Sequence, residues 1–183
     1  NNTGDTDTPI LENIQAVDTR IERGADGEFN LHYHNGDNCT PESYAPHEET
    51  LAPGAEKHIA NTGGRPTQTS FPYFNIGWPG EGMIFVVSWA GQWSTQFNRD
   101  AANGLQLRAG QELTHFTLHP GEEVRTPMIV LQFYKGDWLR AQNVWRSWMF
   151  AHNYYKPGGR PLKPQLSLCN GNYFPNLMTV ADK

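Results

Sequence analysis

At 183 residues the chain is one domain's worth of protein, long enough to bury roughly 70% of the surface its unfolded form would expose. A net charge of −5 and a pI near 5.8 leave no basic footprint for nucleic acid, and no apolar run reaches the about 18 residues a membrane-spanning helix needs. Aromatic residues at 12% and 18 glycines fit a protein of strands and turns, and most of its six tryptophans are expected in the core.

The start, residues 1–13, is polar and aperiodic, and reads as a disordered leader or a mature terminus after processing. That reading points to an extracellular or periplasmic location. Val17, Ile21, Phe29, Leu31 and Tyr33 alternate around Gly24-Ala25-Asp26-Gly27, so an opening hairpin is expected. From 34 to 68 the pattern stops among prolines and glycines. This segment reads as a long functional loop, interrupted by one strand at 57–60.

The stretch FPYFNIGWPGEGMIFVVSWAGQWSTQF, residues 71–97, organises the chain. It holds two apolar runs, 71–76 and 83–89, and then Trp93, Thr95 and Phe97 on one face of an alternating segment. The segment 83–87 is unbroken and β-branched or aromatic, as in a strand covered on both faces. Three consecutive antiparallel strands with a buried middle one are predicted, the heart of a β-sandwich. Leu105 and Leu107 mark another strand, Gly110-Gln111 a turn, residues 114–119 an alternating strand, and 124–134 a long strand that Pro127 demotes to an edge or bulge.

The period then changes. Trp138, Ala141, Trp145, Trp148 or Met149, and His152 recur at helical spacing after Asp137, a natural N-cap without the capping-box acid. Asn153 and Pro157-Gly158-Gly159 end the helix. Burying one such tryptophan contributes about 2–3 kcal/mol, so the helix is expected to be firmly docked. Residues 154–165 read as an extended linker and 166–169 as a short buried strand opening a second domain.

Self-sufficient chemistry is hard to find. His32, His34, Asp37 and Cys39 could be taken for a metal cluster, but no second ligand pair at zinc spacing follows, so no metal or other cofactor is expected. The acids Glu48, Glu49, Asp100, Glu112, Glu122 and Glu123 lie in turns and loops, with no strand end to raise a pKa for glycoside hydrolysis. A nucleophile elbow and a phosphate loop are both missing. Cys39 and Cys169 lie far apart; a disulfide between them has no spacing logic, and two buried free thiols are expected.

Several ordered blocks carry a resemblance: HNGDNC (34–39), TGGRPT (62–67), FPYFNIGW (71–78), SWAGQWSTQF (88–97), AGQELTHFTLHPGEEVRTP (109–127) and GDWLRAQNVWRSWMFAHN (136–153). Together they resemble the N-terminal β-supersandwich, a galactose-mutarotase-like sandwich, of family 36-type α-galactosidase-like glycoside hydrolases. The resemblance implies an all-β antiparallel sandwich (14–153, with its C-terminal helix), a linker (154–165) and the start of a (β/α)8 barrel (166–183). The catalytic aspartates of such enzymes lie on later barrel strands, so this chain alone is expected to be inactive.

In the parent enzyme the reaction would be retaining hydrolysis of terminal α-galactosides without a cofactor. The domain would support the barrel, shape its sugar pocket and take part in homo-oligomer contacts. Its partner would be an α-galactoside held jointly with the barrel. The rim residues implied are Asp37 and Asn38 on one loop and Arg65 on another. Trp89 and Trp93 are the candidates for stacking on a sugar, against the plainer reading of both as sheet residues. The competing reading is a stand-alone carbohydrate-binding sandwich that uses tryptophans as a platform; a third is an adhesion domain without a ligand.

Overall fold

The computed structural model describes residues 1–24 and 26–162. The strands are β1 (Leu11–Glu12), β2 (Gln15–Glu22), β3 (Phe29–His34), β4 (Pro46–Leu51), β5 (Glu56–Ala60) and β6 (Tyr73–Trp78). They continue with β7 (Glu81–Ser88), β8 (Trp93–Arg99), β9 (Gly104–Gln111), β10 (His115–Phe116) and β11 (Met128–Lys135), followed by helix α1 (Trp138–His152). A five-stranded antiparallel sheet, β11-β7-β6-β3-β4, faces a four-stranded one, β2-β9-β8-β5, and β1 pairs with β10. The fold is the expected all-β sandwich.

The hairpin β6–β7 is its spine. Phe74 pairs with Phe85 and Ile76 with Met83, and all four are fully buried in the seam between the sheets. Pro79-Gly80 closes the hairpin, with Gly80 at φ 80, the left-handed position that a type II turn after proline requires. Gly77, Trp78, Glu81 and Gly82 therefore belong to the strands rather than to a break between them. From the other sheet Trp93, Phe97, Leu105 and Leu107 fill the same seam, all at 0% exposure. Phe74 meets Trp93 edge-on at 5.9 Å and Phe97 at 5.2 Å, the perpendicular geometry that ring quadrupoles favour.

Two pairings differ from the expectation. β8 does not join β6 and β7 as a third neighbour; residues 89–92 carry the chain across to the facing sheet, where β8 lies between β5 and β9. Likewise the opening hairpin does not form. β2 pairs with β9 in one sheet, and β3 with β4 and β6 in the other. In both cases the strands alternate correctly, and the same alternation serves a strand facing the seam from either side. Periodicity fixes which face is buried and leaves the sheet open.

Three further corrections concern single elements. β4 hides inside the expected loop because it is an edge strand with only Leu51 buried, opening on Pro46, with Glu48 exposed and Glu49 on the Leu51 face paired to Lys57 of β5; proline and charge protect the edge. β9 continues through Gly110 and Gln111, and the turn follows at Leu113, which takes φ 54. The polar start is not without structure. Asn2 is buried, donates from its side chain to Leu118 O at 2.9 Å, and exchanges backbone bonds with Glu122 and Gly121.

The N-cap holds: Asp137 Oδ1 accepts the Arg140 N–H at 2.8 Å. Within residues 138–147 the docking is slighter than the tryptophan count implies. Ala141 is the buried residue there, while Trp138 is 54% exposed and Leu139 is also exposed. Residues 1–147 form one compact unit and Trp148 opens a second. In the second, Trp148 lies 5.5 Å from His152, Phe150 stacks on Tyr154, and Pro157–Gly159 make a short 3-10 turn. The barrel strand expected at 166–169, and Cys169, lie outside the described residues.

Candidate functional site: the loop end of the sandwich

Two of the loops singled out in the sequence meet at one end of the sandwich. Asn35 bridges to Ser70, the Gly36 N–H donates to Thr69 O at 3.0 Å, and the Asp37 N–H donates to Thr67 O at 2.6 Å. A Cβ on Gly36 would stand 2.2 Å from Thr67 O, so only glycine allows the approach. HNGDNC and TGGRPT are thus stitched together backbone to backbone, and Arg65 Nη2 closes the stitch by donating to the Asp37 carbonyl at 3.2 Å.

The Asp37 carboxylate accepts the Cys39 N–H at 3.0 Å and the Ser43 hydroxyl at 3.2 Å. The Cys39 N–H is the main reason its pKa is held below the ordinary carboxylate value, against a contrary pull from burial. It is an ionised, hydrogen-bonded turn carboxylate, unsuited to acid catalysis. Asn38 beside it is exposed, as is Arg65. Cys39 is exposed at φ 56, which corrects the expectation of a buried thiol.

Beneath these loops lies a support that the sequence did not single out. Asn61 is buried, and its Oδ1 accepts the N–H groups of Thr69 and Ser70, each at 3.1 Å. Its Nδ2 donates to Pro66 O. The Trp93 indole donates to the same carbonyl at 2.7 Å. Trp93 is at 0% exposure, so it offers no face to a sugar; it anchors the Arg65 loop from below. Nothing in an isolated Asn-Thr-Gly sequence marks Asn61 for this role.

Trp89 is placed differently. It packs against the core with one side and stays partly exposed. It lines a depression of about 440 Å³ shared with Pro66 and Thr67, and a cleft of about 650 Å³ shared with Gln92, Gln111, Glu112 and Arg125. Asp37, Asn38, Arg65 and Trp89 therefore gather around one end of the molecule.

The histidines do not gather. Among the described residues no group of three His, Cys, Asp or Glu side chains is placed to hold a metal. His32 stacks on Trp138 at 5.9 Å and lies 3.8 Å from Glu48, while His34 turns toward Tyr73. Burial, and then the neighbouring His47 and His32, push the His34 pKa down. His34 lines a recess of about 240 Å³ with Tyr44, Phe71, Tyr73, Gln142 and Trp145, beneath the first turns of α1.

No protein-family model matches the sequence, and no curated protein matches it. Solved structures do match. The galactosidase domain of the α-galactosidase–sucrose kinase AgaSK is 18% identical, with a TM-score of 0.56 over 66% of this chain and 17% of its own. An α-galactosidase from Lactobacillus brevis is 15% identical, with a TM-score of 0.62 over 73% of this chain and 18% of its own. The GH36 α-galactosidase AgaA from Geobacillus stearothermophilus is 14% identical, with a TM-score of 0.51 over 64% of this chain and 17% of its own. At these identities the likeness is one of fold. The fold resemblance drawn from the sequence blocks is found in these α-galactosidases, and the chain spans only 17–18% of their length.

Proposed function

We propose that this chain is the N-terminal, non-catalytic sandwich of an α-galactosidase-like glycoside hydrolase, which supports a barrel and completes its sugar pocket. The observation that carries the reading is the stitched pair of loops. Residues 35–45 and 61–70 form one rigid rim, with Arg65 and Asn38 exposed on it and the Asp37 carboxylate ionised within it. A rim of that kind orients sugar hydroxyls. Guanidinium and amide groups donate, and a carboxylate accepts. The Asp37 carboxylate already serves its own turn, so its part is to hold and orient, and the bond-breaking groups belong to the barrel.

The test is an α-galactosidase carrying this sandwich ahead of its barrel, assayed with R65A and D37A. Both variants are expected to raise KM several-fold while kcat changes by less than about twofold, the pattern of lost binding without lost transition-state chemistry. An equal fall in kcat and kcat/KM would place the residue in the chemistry and defeat the reading.

A further inference from the structure

We infer that the cleft beside Trp89 is a second saccharide-binding surface, complete within this chain, that takes a neutral oligosaccharide rather than a single sugar. It goes beyond the rim, which needs a barrel to make a pocket. Trp89 is held firmly because one side of its ring packs on the core. Gln92 stands on the same connection, and Gln111 ends β9 opposite Trp93 in register. Glu112 and Arg125 add one charge of each sign, and Leu113, Phe116 and Val124 add apolar wall.

The chemistry of the walls selects the ligand. Trp89 and Phe116 supply apolar ring surface for the C–H face of a pyranose, and two planar amides supply donors and acceptors for its hydroxyls. A carboxylate and a guanidinium line the same cleft, and the third titratable group there, His115, is bonded to Glu12, so neither sign of charge dominates, which favours a neutral, hydroxyl-rich ligand over a phosphate or a polycation. At about 650 Å³ the cleft falls within the range of pockets that enclose a small ligand.

Length follows from the position of Trp89. Its side chain borders both the cleft and the neighbouring depression of about 440 Å³. A ligand stacked on this ridge has a cleft of mixed polar and apolar lining on one side and the wall of Pro66 and Thr67 on the other, and Thr67 is the residue whose carbonyl holds Asp37. A chain of sugars can occupy both sides, whereas a monosaccharide fills only one.

The experiment is a titration of the isotope-labelled chain with galactose, raffinose and stachyose, a series of increasing length, following the Trp89 indole and the Gln92 and Gln111 side-chain amides by NMR. The expected result is saturable shifts at these groups, with affinity rising along the series. W89A should weaken binding of stachyose by about tenfold. Because Trp89 also supports the core, Gln92→Ala on the connecting loop is the second variant, and it should weaken stachyose measurably with the spectrum otherwise unchanged. No shift at Trp89 with stachyose at about 10 mM, far above a sub-millimolar Kd, would overturn the inference. Equal affinity for galactose and stachyose, or wild-type affinity in both variants, would overturn it too. Shifts confined to the amides around Asp37 and Arg65 would also overturn it and leave the rim reading standing.

Discussion

The two faces of the five-stranded sheet are held by different physics. On the inner face Phe74, Phe85, Ile76 and Met83 meet Trp93, Phe97, Leu105 and Leu107, every one at 0% exposure, and apart from the Trp93 indole bonded to Pro66 O these side chains hold the seam by burial and shape. On the outer face Tyr73, Ile84, Tyr134 and Ala141 cluster with Trp145, and two of these carry hydroxyls that must be satisfied. The Tyr134 hydroxyl donates to Asn75 Oδ1 at 2.6 Å, and the Tyr73 hydroxyl to Gln142 Oε1 at 3.0 Å. Gly82 makes room for the Tyr134 ring, since a Cβ there would lie 2.3 Å from its hydroxyl oxygen. Desolvation pushes the Tyr134 pKa up to about 12, and that of Tyr73 rises for the same reason. The inner seam sets global stability; the outer one sets how the helix sits.

That contrast can be broken most severely from the inside. Phe74→Ala removes the ring that touches Phe85, Trp93 and Phe97, and should cost about 3–5 kcal/mol in denaturant unfolding, with the helix and the sheets lost together. Tyr134→Phe keeps the packing and removes one hydroxyl. Asn75 is fully buried, and its Nδ2 already lacks a partner among the described residues, so losing the remaining bond should cost about 1–3 kcal/mol. Equal costs for the two variants would mean that the two faces do not differ as described.

Asp137→Ala tests the outer face alone. The lost cap should cost about 1 kcal/mol, and hydrogen exchange should quicken in the first turn of α1 before it changes in β6 or β7. The smallest effect belongs to neither face. Asp100 is held down to about 2 by hydrogen bonds from Arg20, and next by the Gly104 N–H. A carboxylate depressed in this way contributes stability above its ordinary 3.8, and loses that contribution as pH falls toward about 2. D100N should therefore be less stable than the parent at neutral pH and lose less between those two values, read from unfolding midpoints across the acid range.

How much of this was legible depended on which signal each residue carried. The fold class is readable because residues 83–87 form an unbroken apolar run and Trp93, Thr95 and Phe97 alternate; four of the five in the run and all three of the alternating residues are buried. Which sheet received β3 and β8 was not readable, since Phe29 and Phe97 face the same seam from opposite sides and alternation is blind to that choice. β4 is hard to see because Pro46, His47 and Glu48 are an edge strand's exposed residues and Glu49, on the inner face, is a charge paired with Lys57. At the site, Asp37 and Arg65 were named and do meet. Trp93 was named for stacking and is the hidden pin. Asn61 went unnamed, because a buried asparagine that satisfies a loop looks in sequence like any other turn residue.

Under the proposed function this chain shapes a sugar site and leaves the chemistry to a barrel. The direct measurement is the rate at which the chain alone hydrolyses a chromogenic α-galactoside. With the Asp37 carboxylate committed to the Cys39 N–H and the Ser43 hydroxyl, the rate should equal that of buffer at every substrate concentration. Turnover that saturates with substrate and disappears in D37N would contradict the account.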